Sequence, residues 1–313
     1  MTVETFPDVR RDPTAVLTTG TFDGVHLGHA AVLGYVVERA RAVGGTPTLV
    51  TFDPHPREVL GLGDVELLTT VDERARLASA LGIERVVMVP FTRHLSALTP
   101  GAWVRDLLAG AIGLREIVVG YDHRFGHRRA GSVDTLEALS SDLGFAVDVV
   151  PELVVQAGEK GLAVSSTQIR DALRAGDAAG AARRLGRAHT LPGTVVRGAQ
   201  RGRAIGFPTA NLALASDRLL VPADGVYATR VALGDTLHDA MTNIGTRPTV
   251  EQEGGRTIET HLLDFVGDLY GRAIRVAFHA RLRDERRFSG LEALETQLRE
   301  DAGQARRALS GLS

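Results

Sequence analysis

The sequence predicts two domains of different classes: an α/β domain with a parallel sheet, then an antiparallel β-barrel with a terminal helix. The chain has 313 residues, enough for two domains of ordinary size. In the first half, short apolar strand segments alternate with helical segments. Beyond about residue 186, strand segments follow one another without intervening helices, until one amphipathic helix near the end. We therefore expect domains at 1–186 and 187–313.

The α/β domain is predicted from the alternation of its segments. Residues 15–19 (AVLTT) form a short apolar strand, and the next helix places Val32, Leu33, Val36, Val37 and Ala40 on one face. Further strands are predicted at 46–52, 83–91, 114–120 and 145–153, and further helices at 72–82, 100–113 and 133–144. Continuously apolar strands are typical of a parallel sheet covered on both faces. Ligands of such sheets bind outside the carboxyl ends of the strands.

The barrel is predicted from the segments beyond residue 186. Its strands are expected at 193–198, 225–233, 237–245, 257–265 and 273–283, and its helix at 291–309. The segment 173–193 is rich in small residues and predicts a helical connector that ends in a turn. Many strands with one terminal helix favour a barrel or sandwich with the helix packed on it.

The composition is that of a globular protein, and it excludes several kinds of site. Apolar residues make up 44% and the net charge is −2, which predicts neither a nucleic-acid nor a membrane partner. The sequence has no cysteine, so disulfides, thiolate metal ligands and a cysteine nucleophile are excluded. It lacks a signal-peptide pattern and any run near the ~18 apolar residues of a membrane span, so we expect a cytoplasmic protein. Lys160 is the only lysine, so phosphate groups must be bound by arginine, histidine or backbone amides.

The decapeptide GTFDGVHLGH (20–29) lies where the first predicted strand meets the first helix. Free N–H groups and the helix dipole make such a junction an anion site. His26 and His29 are one helical turn apart, so both rings can face one phosphate, and Gly24 and Gly28 permit close approach. A metal site would need a third ligand, usually a carboxylate on the same helix. Two surface histidines are the other alternative for this spacing alone.

Four blocks of the first half carry a family resemblance. The H-x-G-H pattern in the decapeptide is similar to the signature of the nucleotidyltransferase superfamily. Together with TFDPHP (51–56), it resembles the adenylyltransferase module of bacterial bifunctional riboflavin kinase/FAD synthetases. The blocks VGYDHRFGHRRAG (119–131) and SSTQIR (165–170) follow in the family's order. The resemblance implies a Rossmann-like nucleotidyltransferase domain that transfers the adenylyl group of ATP to FMN, giving FAD and pyrophosphate.

The same resemblance implies roles for individual residues. His26 and His29 would contact the ATP phosphates, and Ser166, Thr167 and Arg170 would close over them from the opposite side. The residues implied to help hold the nucleotide and the flavin phosphate are Gly20, Phe22, Asp23, Gly28, Asp53, His55 and Asp122. Taken alone, SSTQIR is typical of a helix N-cap, and the basic part of the third block is typical of a solvated loop.

The adenylyl transfer suits these residue types. The attacking phosphate oxygen of FMN is already an anion, so the reaction needs no strong general base. Its catalysis is positioning plus neutralisation of developing charge. Hydrogen-bonding histidines, an arginine, helix N-termini and Mg²⁺ supply both. The histidine pair is therefore interpreted as a phosphate-binding pair.

A second resemblance lies in GRAIGFPTANL (202–212), which is similar to the riboflavin kinase signature P-T-A-N. Pro208 fixes the backbone, and alternate positions of an extended chain point the same way, so Thr209 and Asn211 can converge on one ligand. The resemblance implies that this ligand is Mg²⁺ with the ATP phosphates, under a flap that contains Gly202. It also implies that Glu259 is the base for the terminal hydroxyl of riboflavin. Alone, Glu259 is typical of an exposed strand glutamate.

The two resemblances together cover residues from about 13 to about 309 and predict a bifunctional transferase. It would phosphorylate riboflavin to FMN with ATP and Mg²⁺, and then convert FMN to FAD. Riboflavin, FMN and ATP are the expected partners, with no nucleic acid, no membrane, and a monomer or weak homo-oligomer. The segments 243–250 and 268–271 are expected to be loops that shape the pockets.

Three alternatives differ in what they require of the sequence. An enzyme with one working module and one remnant is opposed by the motif residues present in both halves. A flavin-sensing regulator would need a nucleic-acid-binding element, such as a helix-turn-helix with a basic face. A pantetheine-phosphate or nicotinate-nucleotide adenylyltransferase would leave GFPTAN unexplained.

Overall fold

The computed structural model describes residues 1–120, 124–150, 155–157, 160–162, 164–198, 206–246 and 256–311. The packing of the chain separates two compact units. The first contains Met1–Val65 and Thr69–Ser165, and the second contains Glu66–Leu68 and Ser166–Ser313. Two helices that precede residue 186 thus pack within the second unit. The division of the two activities between 1–186 and 187–313 stays a prediction.

The first unit is built on a six-stranded parallel sheet. Its strands are β1 (Thr2–Thr5), β2 (Ala15–Thr19), β3 (Thr46–Asp53), β4 (Arg85–Pro90), β5 (Glu116–Gly120) and β6 (Ala146–Val150). Its helices are α1 (Leu27–Val43), α2 (Pro56–Val59), α3 (Val71–Ala80), α4 (Arg93–Ser96), α5 (Pro100–Ala102) and α6 (Val133–Leu143). A π-helical segment at Trp103–Ile112 continues α5, and a 3₁₀ turn lies at His127–Arg129. A small antiparallel pair consists of β7 (Val155–Ala157) and β8 (Lys160–Leu162). The predicted alternation of strands and helices is confirmed.

The strand order of this sheet defines where a ligand can bind. The order is β1-β4-β3-β2-β5-β6, so the chain moves from β2 to one side and later crosses to β5 on the other. The carboxyl ends of β2 and β5 therefore flank a topological switch point, where open α/β sheets bind their ligands. The decapeptide follows β2 directly, and it lies at this point.

Both faces of the sheet are buried. Along β2, Val16 belongs to one apolar core and Leu17 to the other, and neither is exposed. The first core also contains Val36 of α1, and the second contains Trp103 and Leu108 of the π-helical segment. Burial on both faces explains why the strands read as continuous apolar runs.

Strand β1 was not predicted from the sequence. It has four mostly exposed residues and pairs with β4 at the edge of the sheet. Arg85, which is 1% exposed, ties the segment down, because its Nη2 donates to Glu4 Oε2 at 2.8 Å and to the Arg10 carbonyl. The strand therefore depends on tertiary contacts rather than on an apolar pattern of its own.

The second unit is a closed antiparallel barrel with helices around it. Its helices are α7 (Ser166–Arg174), α8 (Ala178–Leu185) and α9 (Leu291–Leu309). Its strands are β9 (His189–Val196), β10 (Ala210–Leu214), β11 (Gly225–Leu233), β12 (Thr236–Thr246), β13 (Arg256–Leu262) and β14 (Ala273–Arg283). They close in the order β10-β13-β12-β11-β14-β9. The predicted barrel with a terminal helix is confirmed.

Two local expectations for this unit were wrong. The connector 173–193 was predicted to end in a turn, but its last residues, 189–193, begin β9, where Pro192 pairs with Arg275 of β14. The segment 243–250 was also expected to be a loop, but its described part, residues 243–246, completes β12, in line with the strand predicted at 237–245. At the start of β9, the pairing of neighbouring strands overrides the local Pro-Gly signal.

Helix α9 covers one side of the barrel. Ala302, Ala305 and Leu309 pack against Ala228 and Met241. Among the described residues, no helix is long and apolar enough to cross a membrane.

Candidate active sites

The decapeptide forms a tight turn between β2 and α1. Gly20 N donates to the Val50 carbonyl of β3 at 3.1 Å, which fixes the start of the turn. Phe22 (φ 46°) and Val25 (φ 38°) both have positive φ angles. Such angles are rare for residues with side chains, cost of order 1–3 kcal/mol, and cluster at functional sites. The turn is therefore held by its surroundings in a conformation that it would not adopt alone.

The two histidines of the decapeptide lie against each other. Their ring centroids are 3.6 Å apart and the rings are 14° from parallel. His26 caps α1, because its Nδ1 accepts a hydrogen bond from His29 N at 3.2 Å. A Cβ atom at Gly28 would lie 3.3 Å from His26 Cε1, so glycine leaves room for the ring. With Nδ1 accepting, a neutral His26 carries its proton on Nε2 and can donate it to a ligand.

His29 lies between His26 and the ring of Phe22, whose centroid is 4.7 Å away. Its Nδ1 atom is buried and has no hydrogen-bond partner in the part of the chain that the structure describes. Burial, then His26, then the positive charge of Arg74 lower the pKa of His29 well below its ordinary value. His29 is therefore neutral at neutral pH, and it acts by hydrogen bonding rather than by a full charge.

Asp23 anchors the turn to the segment before α3. Its Oδ1 accepts from Thr69 N at 3.0 Å and from Thr69 Oγ1 at 3.1 Å. Thr69 Oγ1 also accepts from Gly24 N at 3.0 Å. The carboxylate is buried, so it holds the turn in place from within. Its predicted contact with the nucleotide stays a prediction.

The TFDPHP block follows β3, the neighbour of β2 in the sheet. Asp53 is the last residue of β3, and His55 caps the short helix α2 by accepting from Arg57 N at 3.2 Å on its Nδ1. The sheet thus brings the decapeptide and the Asp53–His55 loop to the same edge. Asp122, predicted to follow β5 at that edge, lies outside the described residues.

The SSTQIR block begins a helix, as predicted, with Ser166 and Thr167 in the first turn of α7. This helix belongs to the second unit. There, Arg170 Nε donates to the Glu66 carbonyl at 2.8 Å, and Arg174 Nη2 binds the Glu66 carboxylate at 2.8 Å. The roles predicted for Ser166, Thr167 and Arg170 toward ATP stay predictions.

In the barrel, the predicted kinase residues converge on two adjacent strands. Asn211 of β10 and Glu259 of β13 face each other in register. Thr209 Oγ1 lies 3.4 Å from Glu259 Oε2, within hydrogen-bond distance. Asn211 is 8% exposed, which limits the directions in which its amide can point. The structure therefore brings Thr209, Asn211 and Glu259 together, while Gly202 lies outside the described residues.

A cavity of about 620 Å³ opens beside this cluster. Its lining consists of Val195, Pro208, Thr209, Ala210, Thr260, Leu262, Phe265, Val266, Gly267, Asp268, Leu269 and Tyr270. The volume lies in the range of small-molecule pockets, roughly 300–1,000 Å³. The lining is largely apolar and includes the polar side chains of Thr209, Thr260 and Asp268, which suits a ligand with a flat ring and polar groups.

The donor atoms at the cluster fit Mg²⁺. Hydroxyl, amide and carboxylate oxygens are the hard ligands that this ion prefers. Within the described ranges, no group of three or more His, Cys, Asp and Glu residues could hold a metal ion by itself. One or two protein oxygens beside a bound nucleotide are enough for Mg²⁺, because it takes its other ligands from phosphate and water.

Three residues near these sites were not predicted, because they act through other elements. Thr69 and Arg74 lie about 45 residues beyond the decapeptide and carry no motif of their own. Gly198 lies in a glycine- and arginine-rich segment whose pattern indicates only a flap. In the structure, a Cβ atom at Gly198 would overlap the amide of Asn211, so the glycine makes room for that side chain.

Gly198→Ala should lower riboflavin phosphorylation while leaving FAD formation from supplied FMN unchanged. The added methyl group must push the Asn211 amide aside, and a misplacement of about 1 Å can cost about 10²-fold in rate. Steady-state assays of both reactions on one preparation measure the effect. Gly290→Ala is the matched control, because a Cβ atom at Gly290 would meet open space and its backbone is extended. Gly234 is not suitable, because its φ of 61° would strain an alanine. Unchanged phosphorylation in Gly198→Ala would contradict the packing role.

Comparisons with known proteins identify the family of the chain. Residues 8–168 match the FAD synthetase family model, and residues 185–309 match the riboflavin kinase model. A bifunctional riboflavin kinase/FMN adenylyltransferase of Pseudomonas fluorescens is 39% identical over 93% of this chain and 92% of that protein. The chain belongs to this bifunctional family. Another member, from Bacillus subtilis, is 34% identical over 95% of this chain and 93% of its own length. The family predicted from the motifs is confirmed.

A solved structure extends the agreement to the fold of the whole chain. It is described as a macrolide-efflux protein from Streptococcus pneumoniae and has a TM-score of 0.86. It is 29% identical to this chain and covers 97% of this chain and 98% of its own. The riboflavin kinase/FMN adenylyltransferase family thus shares its fold with a protein that carries a different name.

Proposed function

We propose that residues 187–313 phosphorylate riboflavin to FMN and that residues 1–186 then adenylylate FMN to FAD. The chain is a transferase with both activities, riboflavin kinase and FMN adenylyltransferase. The main support for this assignment is that the chain contains two clusters of predicted site residues, one in each unit. The stacked His26–His29 pair lies at the switch point of the first unit. The Asn211–Glu259 pair lies beside a cavity in the second.

In the kinase reaction, Glu259 accepts the proton of the terminal ribityl hydroxyl of riboflavin. The hydroxyl oxygen then bonds to the γ-phosphorus of ATP, the bond from that phosphorus to the β-phosphate oxygen breaks, and ADP leaves. Thr209 and Asn211 orient the phosphates, and the cavity beside Thr209 takes the nucleotide. Gly202 keeps its predicted place in the covering flap.

Thr209 and Asn211 would hold the Mg²⁺ ion of the kinase site. When bound, the ion neutralises charge on the phosphate oxygens during transfer. The amide of Asn211 stays directed by its packing against Gly198 and by its register opposite Glu259. The protein therefore supplies orientation, while the proton moves to Glu259.

In the adenylyl transfer, a phosphate oxygen of FMN attacks the α-phosphorus of ATP, and the bond to the β-phosphate oxygen breaks to release pyrophosphate. His26 donates from Nε2, and His29 and the N–H groups at the start of α1 also bind phosphate oxygens. Because the pKa of His29 is lowered, it binds as a neutral ring. Gly20, Phe22, Asp23 and Gly28 shape the turn.

The other predicted residues of the adenylyl-transfer reaction keep their roles in the proposal. Asp53, His55 and Asp122 help hold the nucleotide and the FMN phosphate. Ser166, Thr167 and Arg170 bind the ATP phosphates. We also propose that the protein is cytoplasmic and is a monomer or weak homo-oligomer. Every proposed substrate is a small molecule, so the proposal includes no nucleic-acid partner.

A time course of products tests the proposal. The purified chain is incubated with riboflavin, ATP and Mg²⁺, and FMN and FAD are separated chromatographically at intervals. FMN should appear first and FAD should follow at its expense. FMN that accumulates without FAD would leave the barrel a kinase and remove the role assigned to the decapeptide. Tight flavin binding without either product would indicate a flavin sensor.

A further inference from the structure

Arg74 of α3 is one of the most deeply buried side chains of the first unit, with 1% exposure. Its Nη1 donates to Thr51 Oγ1 at 2.6 Å and to the Phe52 carbonyl at 3.2 Å. Both acceptors lie at the carboxyl end of β3, immediately before Asp53. A guanidinium is expensive to remove from water, and it keeps its charge at every accessible pH. A permanent positive charge thus lies behind the edge of the sheet that carries the decapeptide.

A hydrogen-bond relay connects Arg74 to the decapeptide turn. Thr51 Oγ1 accepts from Arg74 and donates its single hydrogen to the Thr21 carbonyl at 3.0 Å. Thr21 directly precedes Phe22, whose φ is positive and whose ring contacts His29. A strained turn persists only where its surroundings fix it. The hydrogen bonds from Arg74 through Thr51 to Thr21 are among the contacts that fix the decapeptide turn.

The charge of Arg74 also acts on His29. The titratable groups that act on the His29 ring in the described part of the chain are His26, which caps α1, and Arg74 on α3. Both disfavour its protonation, in addition to burial. The phosphates of ATP and FMN meet at the proposed site. The Arg74 guanidinium keeps its positive charge at every accessible pH, so it attracts these phosphates from behind the neutral His26 and His29 rings.

We propose that Arg74 is a positioning residue for adenylyl transfer: through Thr51 it holds the decapeptide turn, and it places a fixed positive charge behind the histidine pair. The inference rests on the adenylyltransferase function proposed above. It adds a residue outside the four motif blocks, which touches no substrate and acts through Thr51 and His29. Two separable effects follow, one from the relay and one from the charge.

Kinetics of FAD formation from supplied FMN test the relay. Thr51→Val removes the hydroxyl but keeps the shape and the Arg74 charge, and it should lower kcat about 10²-fold, with a smaller change in KM. Thr48→Val is the matched control, because that buried threonine lies on the same strand and its hydroxyl donates to a residue of the same strand, the Thr46 carbonyl, at 3.0 Å. Arg74→Met should lose at least as much as Thr51→Val. Since both act in one relay, the double variant should lose less than the product of the two single losses.

Histidine NMR titration tests the charge, with His29→Gln used to assign the His29 ring signal. In Arg74→Met the pKa of His29 should rise toward its ordinary value, and in Thr51→Val and Arg74→Lys it should stay low. Arg85→Met controls for loss of a buried arginine, since Arg85 lies at the amino end of β4. It should destabilise the fold without moving the pKa of His29.

Three outcomes would overturn the proposal while wild-type protein still forms FAD. The first is a folded Arg74→Met variant with wild-type kcat and an unchanged pKa of His29. The second is a Thr51→Val variant that is as active as Thr48→Val. This outcome is sufficient even if Arg74→Met does not fold. The third is full double-mutant additivity. Wild-type protein that forms no FAD would instead contradict the proposed function itself.

Discussion

His29→Ala should lower FAD formation about 10³-fold while leaving the phosphorylation of riboflavin unchanged. The substitution removes a neutral ring whose centroid lies 3.6 Å from that of His26 and 4.7 Å from that of Phe22. Loss of one preorganised donor to developing phosphate charge costs about 10²–10³-fold in kcat. The loss of the stacked ring also frees His26, so we expect the upper end of this range. Rates of FMN adenylylation and riboflavin phosphorylation are measured on the same preparation.

Two further variants make the His29 result specific. His94→Ala removes an exposed histidine of the same unit and should leave both rates unchanged. His29→Gln keeps a hydrogen-bond donor and should retain more FAD formation than His29→Ala. A folded His29→Ala variant that loses both activities would show that the two reactions do not have separate sites.

Glu259→Gln should show the opposite pattern. The amide cannot accept the proton of the ribityl hydroxyl, and removal of a general base costs about 10²–10⁴-fold. Because glutamine has nearly the same size, the contact with Thr209 and the register with Asn211 should persist. FAD formation from supplied FMN should be unchanged. Initial rates of FMN formation from riboflavin measure the effect.

Asn211→Ala supports the Glu259 result from the neighbouring strand. It removes a proposed ligand rather than the base, so it should also stop FMN formation and spare FAD formation. Asp235→Asn, at the exposed β11–β12 turn, is the matched acid-to-amide control. Wild-type phosphorylation in Glu259→Gln would exclude Glu259 as the base and return it to an ordinary strand glutamate.

Much of the fold was predictable because local patterns and tertiary packing agree. The predicted bounds of β2, β11, β14 and α9 are the observed ones. Two of the differences, β1 and the start of β9, arise where pairing partners supply what the local sequence lacks. Neither four exposed edge residues nor a Pro-Gly pair signals a strand without the neighbouring strands in view.

The site residues also fall into two groups, those that the sequence predicted and those that only the structure revealed. His26, His29, Thr209, Asn211 and Glu259 were predicted because motifs carry their chemistry in short stretches of sequence. The roles of the residues that orient them were missed, because Thr69, Arg74 and Gly198, and Thr51 within the TFDPHP block, act through side chains or backbone of other elements. Sequence spacing does not show that a hydroxyl on β3 binds the Thr21 carbonyl. Only the packed structure brings these atoms together.

Complementation between two variants tests the central claim most directly. His29→Ala and Glu259→Gln are each incubated with riboflavin, ATP and Mg²⁺, separately and then mixed. His29→Ala alone should stop at FMN, Glu259→Gln alone should form neither product, and the mixture should form FAD after a lag in which FMN appears. A mixture that forms no FAD, although Glu259→Gln still converts supplied FMN, would show that FMN is not released from His29→Ala and would contradict two independent sites that exchange free FMN.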